Sequence, residues 1–142
     1  MTGFVLNDFL PYRLAVAASR VSRAFERRYM AEAGITVPEW RVLAHLSQEG
    51  AVSVREIELR ADMEKSKVSR AASRLQRQGL IEKLENPGDR RLVSLSLTPK
   101  GLIMVERLIP LAMEFQSELQ AVLGDRLLCF DKGLATICNG KF

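Results

Sequence analysis

The chain is short of the parts that most catalytic and metal chemistry needs. It has one histidine, His45, and two cysteines, Cys129 and Cys138, in 142 residues. No Cys or acidic cluster stands at ligand spacing from His45, so no metal site is expected, and His45 reads as a surface or pocket-edge residue. There is no GxxxxGK[ST] phosphate loop and no G-x-G-x-x-G turn. The carboxylates of Glu56 and Glu58, two apart on a helix, point to different sides. No cofactor and no enzymatic activity is expected. The two cysteines form no disulfide framework, which suits a reducing cytoplasm. On one intact helix they would sit more than about 10 Å apart along the axis and could not bridge each other. They are expected as buried side chains. An intersubunit disulfide, and with it a cysteine-based redox-responsive regulator, stays open as an alternative. No apolar run approaches 18 residues, so no membrane span and no membrane partner is expected. Residues 1–7 carry no basic n-region, so no secretory signal is expected.

The absence with the most content is local. Between Lys65 and Gln78 there is not one acidic residue. The formal net charge is only +4, but five basic residues fall between Lys65 and Arg77. On a helix turning about 100° per residue, Val68, Ala71, Ala72 and Leu75 share one face. Ser66, Arg70, Ser73 and Arg77 share the opposite face, with Lys67 and Arg74 beside it. A small apolar back and a Ser/Lys/Arg front suit the major groove of DNA. The front can bond phosphates, and arginine can fork onto the O6 and N7 of guanine.

A hairpin follows. Ile81 to Glu85 reads as a short strand and Asn86 to Arg91 as a turn. Leu92 to Leu97 alternates, with Val93, Leu95 and Leu97 on one side and Ser94 and Ser96 on the other. Two arginines, Arg90 and Arg91, stand beside the tip, where they can reach a narrow minor groove.

Lys65-Ser66-Lys67-Val68-Ser69-Arg70, then Arg74-Leu75, Gly79-Leu80, Pro87, Asp89-Arg90-Arg91 and Leu97-Thr98, in this order, resemble the MarR family of bacterial winged helix-turn-helix transcription regulators. The resemblance runs from about Thr36 to Pro110, and the Asp-Arg-Arg wing is its most specific part. Lys67 stands where the family usually has a small Thr, and Glu64 where it often has Asp. The resemblance implies a mainly α fold: a winged helix-turn-helix with a two-stranded wing, flanked by N- and C-terminal dimerisation helices. We expect one domain over 1–142, with a DNA-binding lobe at about 36–98 and dimerisation helices at about 7–33 and 99–142.

In chain order, Asn7 or Asp8 is expected to cap a first helix that runs to about Glu32 and stops at Gly34. Its apolar stripe is Leu10, Leu14, Ala17, Ala18, Val21, Phe25 and Tyr29, long enough for part of it to pack on another subunit. Thr36 and Glu39 read as a capping box for a second helix, buried through Trp40, Leu43, Ala44 and Leu46. Ser53 and Glu56 read as another box, opening a short helix with Ile57 and Leu59 as its apolar residues. Asp62 is placed as a cap of the basic helix. Thr98-Pro99 opens a further helix, interrupted at Pro110, with more apolar faces than one small domain can bury. A last helix is expected from Arg126 to about Asn139.

The expected partners are double-stranded DNA with a pseudo-palindromic operator, a second copy of the chain and a small-molecule effector. For DNA, Ser66, Lys67, Ser69, Arg70 and Arg74 are the major-groove candidates. Arg77, Ser53 and Arg55 are phosphate candidates. Arg90 or Arg91 is assigned to the minor groove, with Asp89 orienting an arginine. The resemblance implies repression released by an aromatic acid, a phenolic or an aromatic acyl-CoA. Arg13 and Arg20, near Tyr12, Trp40 and His45, would suit such an anionic aromatic ligand. A winged helix used only for protein contacts is the alternative of another class; a basic front without one acid argues against it.

Overall fold

Seven apolar residues along one helical face make the first long helix, and the computed structural model places it at Leu10–Ala33 (α1). The structure describes residues 3–142, without the side chains of Asn86, Arg90, Arg91 and Leu92. Asn7 and Asp8 do not cap α1. They belong to a separate 3₁₀ turn, Leu6–Asp8, and Phe9 holds the cap position with Pro11 in the first turn. Gly34 ends α1 in the left-handed region at φ 67°, its N–H bonded to Met30 O. A β-carbon is disfavoured there, which is why glycine stops the helix.

The second helix, α2 (Val37–Glu49), starts at Thr36, whose Oγ1 accepts from the Glu39 N–H. Only that half of the capping box forms, because the Glu39 carboxylate is turned inward. The buried side of α2 is Glu39, Val42, Leu43 and Leu46, with Trp40 and Ala44 half-buried. Val52–Ser53 (β1) leads into α3 (Val54–Ala61), where Ser53 Oγ accepts from the Glu56 N–H at 3.1 Å. Ile57 is buried as expected, but Leu59 is 74% exposed. Two residues along a helix is a rotation of about 200°, so both cannot face the same core. Asp62 is not the cap of the next helix. It closes α3 in the left-handed conformation at φ 50°, and Glu64 takes the cap position of α4 (Lys65–Arg77).

β2 (Ile81–Asn86) and β3 (Asp89–Leu97) form the wing, joined through Pro87-Gly88. The turn is shorter than the sequence suggests, since β3 already begins at Asp89, opposite Asn86. A third strand joins this two-stranded wing: the sheet order is β1-β3-β2, with Val52 opposite Leu95 and Ser53 opposite Ser94. α5 (Pro99–Leu123), a 3₁₀ turn at Gly124–Arg126 and α6 (Leu127–Cys138) complete the chain.

Two compact units divide at Leu108 and Ile109. The core lies wholly in the first. Val42, Leu43 and Leu46 of α2, Ile57 of α3, the apolar back of α4, and Leu80, Ile81 and Leu95 of the wing are closed off from solvent. Val105 and Leu108, early in α5, complete it. In the second unit no residue is buried, and Cys129 and Cys138 are free and exposed rather than buried. No helix is long and apolar enough to cross a membrane among the described residues.

Candidate nucleic-acid interface

The site is built on α4. Val68, Ala71, Ala72 and Leu75 are completely buried, which fixes the rotation of the helix about its axis. The opposite face must then look outward. Ser66, Lys67, Arg70 and Arg77 are exposed, and Ser69 is half-buried at the edge. The small alanines let the back of the helix sit close to its supports while the long side chains point away.

The end of α4 is held with unusual completeness. The Gly79 N–H bonds Gln76 O and the Leu80 N–H bonds Leu75 O, the two bonds of a Schellman stop. Lys100 Nζ donates to Gln78 O at 2.8 Å, a cation on the negative end of the helix. Thr98 Oγ1 donates to Gly79 O and accepts from the Gly101 N–H, so the cap of α5 and the end of α4 share one hydroxyl. The wing is tied to the helix as well, through Lys83 Nζ and Ser73 Oγ at 3.3 Å.

Shallow clefts flank α4 on both sides. One, about 650 Å³, lies between the start of α2 and α4 and is bordered by Arg41, Lys67, Arg70 and Arg74 and by the acids Asp62 and Glu64. The other, about 250 Å³, is bordered by Ser69, Arg70, Ser73, Arg74 and Arg77. Arg70 and Arg74 border both clefts. Arg74 is not wholly free to move there. Its Nε donates to Glu39 Oε1 at 2.9 Å.

Ser53 is engaged as the cap of α3, and Arg55, two residues on in the first turn, is exposed. Asp89 is half-buried at the start of β3. The side chains of Arg90 and Arg91 lie outside the described residues, and with them the expected minor-groove contact. Reading the sequence missed Glu39, Arg41 and Lys83. Glu39 did carry a signal: it falls in step with Val42, Leu43 and Leu46, an acid in an apolar stripe. Nothing in the pattern marks Lys83.

The proposed effector residues separate into two places. Tyr12, Arg13 and Arg20 line one groove of about 510 Å³ on α1, with Asn7, Val16 and Val21. Trp40 is elsewhere, in an aromatic cluster where it meets Phe25 edge-on at 5.3 Å and stacks on Tyr29 at 5.9 Å. Burial and the nearby Glu26 carboxylate push the Tyr29 phenol well above its ordinary range, and Arg41 only partly offsets them. His45 is half-buried on α2, one helical turn before Glu49.

Comparison with known proteins agrees with this geometry. A family model described as MarR family matches residues 33–92. The transcriptional repressor IacR of Pseudomonas putida is 31% identical over 105 residues, which is 74% of this chain and 62% of IacR. The chain thus spans less than two thirds of that relative. Among solved structures, BpsR of Bordetella bronchiseptica, described as regulated in DNA binding by 6-hydroxynicotinic acid, superposes with a TM-score of 0.79. It is 23% identical, over 92% of this chain and 98% of BpsR. NadR in complex with 4-hydroxyphenylacetate gives the same TM-score and identity over 99% of this chain and 100% of NadR. Those two likenesses are of fold. The family match and the Lys65–Thr98 pattern go further, and make residues 33–92 similar to the MarR family.

Proposed function

We propose that this chain is a sequence-specific, dimeric DNA-binding repressor released by a small anionic aromatic effector. One observation carries the DNA reading. The acid-free Ser/Lys/Arg face of α4 is turned to solvent by a fully buried apolar back, beside an arginine-bearing hairpin. In this reading Ser66, Lys67, Ser69, Arg70 and Arg74 meet the major groove. Arg77, Arg55 and Ser53 meet phosphates, and the wing tip with Asp89, Arg90 and Arg91 reaches the minor groove. Two copies would set their α4 helices in successive major grooves about 34 Å apart, which calls for a pseudo-palindromic operator. The grouping of Tyr12, Arg13 and Arg20 around one groove supports a carboxylate-bearing aromatic ligand there. Such a ligand releases DNA only if it binds better to a geometry in which the two α4 helices no longer match adjacent grooves.

The test is fluorescence anisotropy against the DNA upstream of the chain's own gene, beside a scrambled duplex at about 0.15 M salt, where non-specific binding is about 10⁻⁴–10⁻⁶ M. Nanomolar binding to the natural duplex alone is expected, and Arg70→Ala should cost about 1–3 kcal/mol and relax base choice. No binding even at low salt would sink the DNA reading. An aromatic carboxylate that releases wild type should fail to release Arg20→Ala; equal release would remove Arg20 from the effector site.

A further inference from the structure

We infer that Glu39 is a positioning residue for sequence reading: its buried carboxylate fixes the guanidinium of Arg74, so α2 helps decide which base pair that arginine meets. The inference rests on the DNA-binding reading above. Glu39 is 3% exposed and lies 35 residues from Arg74 in the chain. One of its oxygens accepts from Arg74 Nε at 2.9 Å. The other, Oε2, is buried and has no hydrogen-bond partner among the described residues. This buried acid is therefore compensated by Arg74, whose side chain is itself 43% exposed at the reading face.

The geometry separates the two ends of the arginine. Nε has one N–H, and it is spent on Glu39. The two terminal nitrogens carry the remaining four donors in the same rigid plane. Fixing Nε from behind fixes that plane, and the terminal nitrogens are left for the clefts on either side of α4, both of which Arg74 borders. An unrestrained arginine loses rotamer freedom when it binds; one held by a buried acceptor has lost it already in the fold. The acceptor is held in turn. Thr36 Oγ1 caps the Glu39 N–H, and Glu26 Oε2 of α1 accepts from the Val37 N–H at 3.0 Å. Moving Arg74 away toward DNA would strand a buried carboxylate, so the arginine reads from where Glu39 puts it.

The experiment begins with selection of binding sites from a randomised duplex pool by wild-type protein. Affinity is then measured for the selected site and for each single base-pair change, across a range of salt. Arg74→Ala should flatten the preference at one position per half-site by about tenfold. Glu39→Met, which replaces the acid by an apolar side chain of similar length, should flatten that same position and leave the salt slope intact. Glu39→Gln, which keeps an acceptor oxygen, should restore much of the preference. Glu39→Met combined with Arg74→Ala should discriminate no worse than Arg74→Ala alone. A purely structural role would lower affinity at every position and add to the Arg74 effect; either result overturns the inference. So does an unchanged preference in Arg74→Ala or Glu39→Met. Should Glu39→Met not fold, Glu39→Asp withdraws the carboxylate by one methylene, and an unchanged preference there overturns it equally. If wild type selects no consensus at all, the DNA reading itself fails and this inference with it; a consensus indifferent to Glu39 defeats only the inference.

Discussion

A methyl group on Gly101 has nowhere to go. A β-carbon there would lie 1.9 Å from Leu80 O and 3.2 Å from Leu97 Cδ2. The first is backbone, at the junction where α4 ends and the wing begins, so it cannot swing aside. Gly101→Ala should destabilise the fold by at least the usual cost of overpacking, about 1–3 kcal/mol. A lower urea midpoint with an unchanged m-value is the expected result; an unchanged midpoint would mean that α5 can slide away from Leu80 at little cost. Periodicity could not have revealed this, because a glycine in the first turn of a helix reads only as a weak helix former. The same limit hid the Glu39–Arg74 pair. Sequence spacing shows which residues share a face of one element, as it does for Val68, Ala71, Ala72 and Leu75. It does not show which residues of two elements meet. Leu59 is exposed for a simpler reason: it stands about 200° around α3 from Ile57 and so faces away from the core.

At the scale of elements, the aromatic cluster joins α1 to α2 and gives the junction a pH dependence. Tyr29 is the one buried residue of α1, with Phe25 edge-on at 4.8 Å and Trp40 stacked beyond it. Its folded phenol holds the proton more tightly than an unfolded tyrosine, whose pKa is about 10. The unfolded chain therefore releases that proton first as pH rises. The stabilising contribution is complete below about pH 10 and declines above it. In an alkaline titration followed by phenolate absorbance and circular dichroism, Tyr29 should ionise only as the helical signal is lost. Ionisation in a fully folded chain would show that the cluster opens to water. Helices of this length are legible because several turns repeat the same pattern. The strand β1 has two residues and no period to read, and it exists because β3 offers it an edge at Leu95 and Ser94. Asp62 illustrates an ambiguity that pattern cannot resolve, since Asp serves both as an N-cap and as one of the few side chains tolerated in the left-handed region.

For the molecule as a whole, the question is what covers the apolar surface that the chain leaves open. Leu10 and Leu14 on α1, Ile103 and Met113 on α5, and Leu128 and Phe130 on α6 are all exposed. Leu10 stands four residues before Leu14, Ile109 four before Met113 and Phe130 four before Leu134, all of them exposed, so these are faces and not scattered side chains. Soluble monomers seldom expose faces of this extent, and the proposed repressor needs two α4 helices held at a fixed separation. Both requirements are met if two copies bury these faces against each other. Folding and association are then linked, and stability rises with protein concentration. Sedimentation at about 10 µM should give a dimer of the 15.9 kDa chain, well below the millimolar range where weak contacts first appear. The thermal midpoint should climb as the protein is concentrated a hundredfold. Replacing Met113 and Phe130 together by Glu should yield a monomer with a lower, concentration-independent midpoint. A wild-type chain that sediments as a monomer, with the same midpoint at every concentration, would break the link between these faces and the spacing that operator recognition needs.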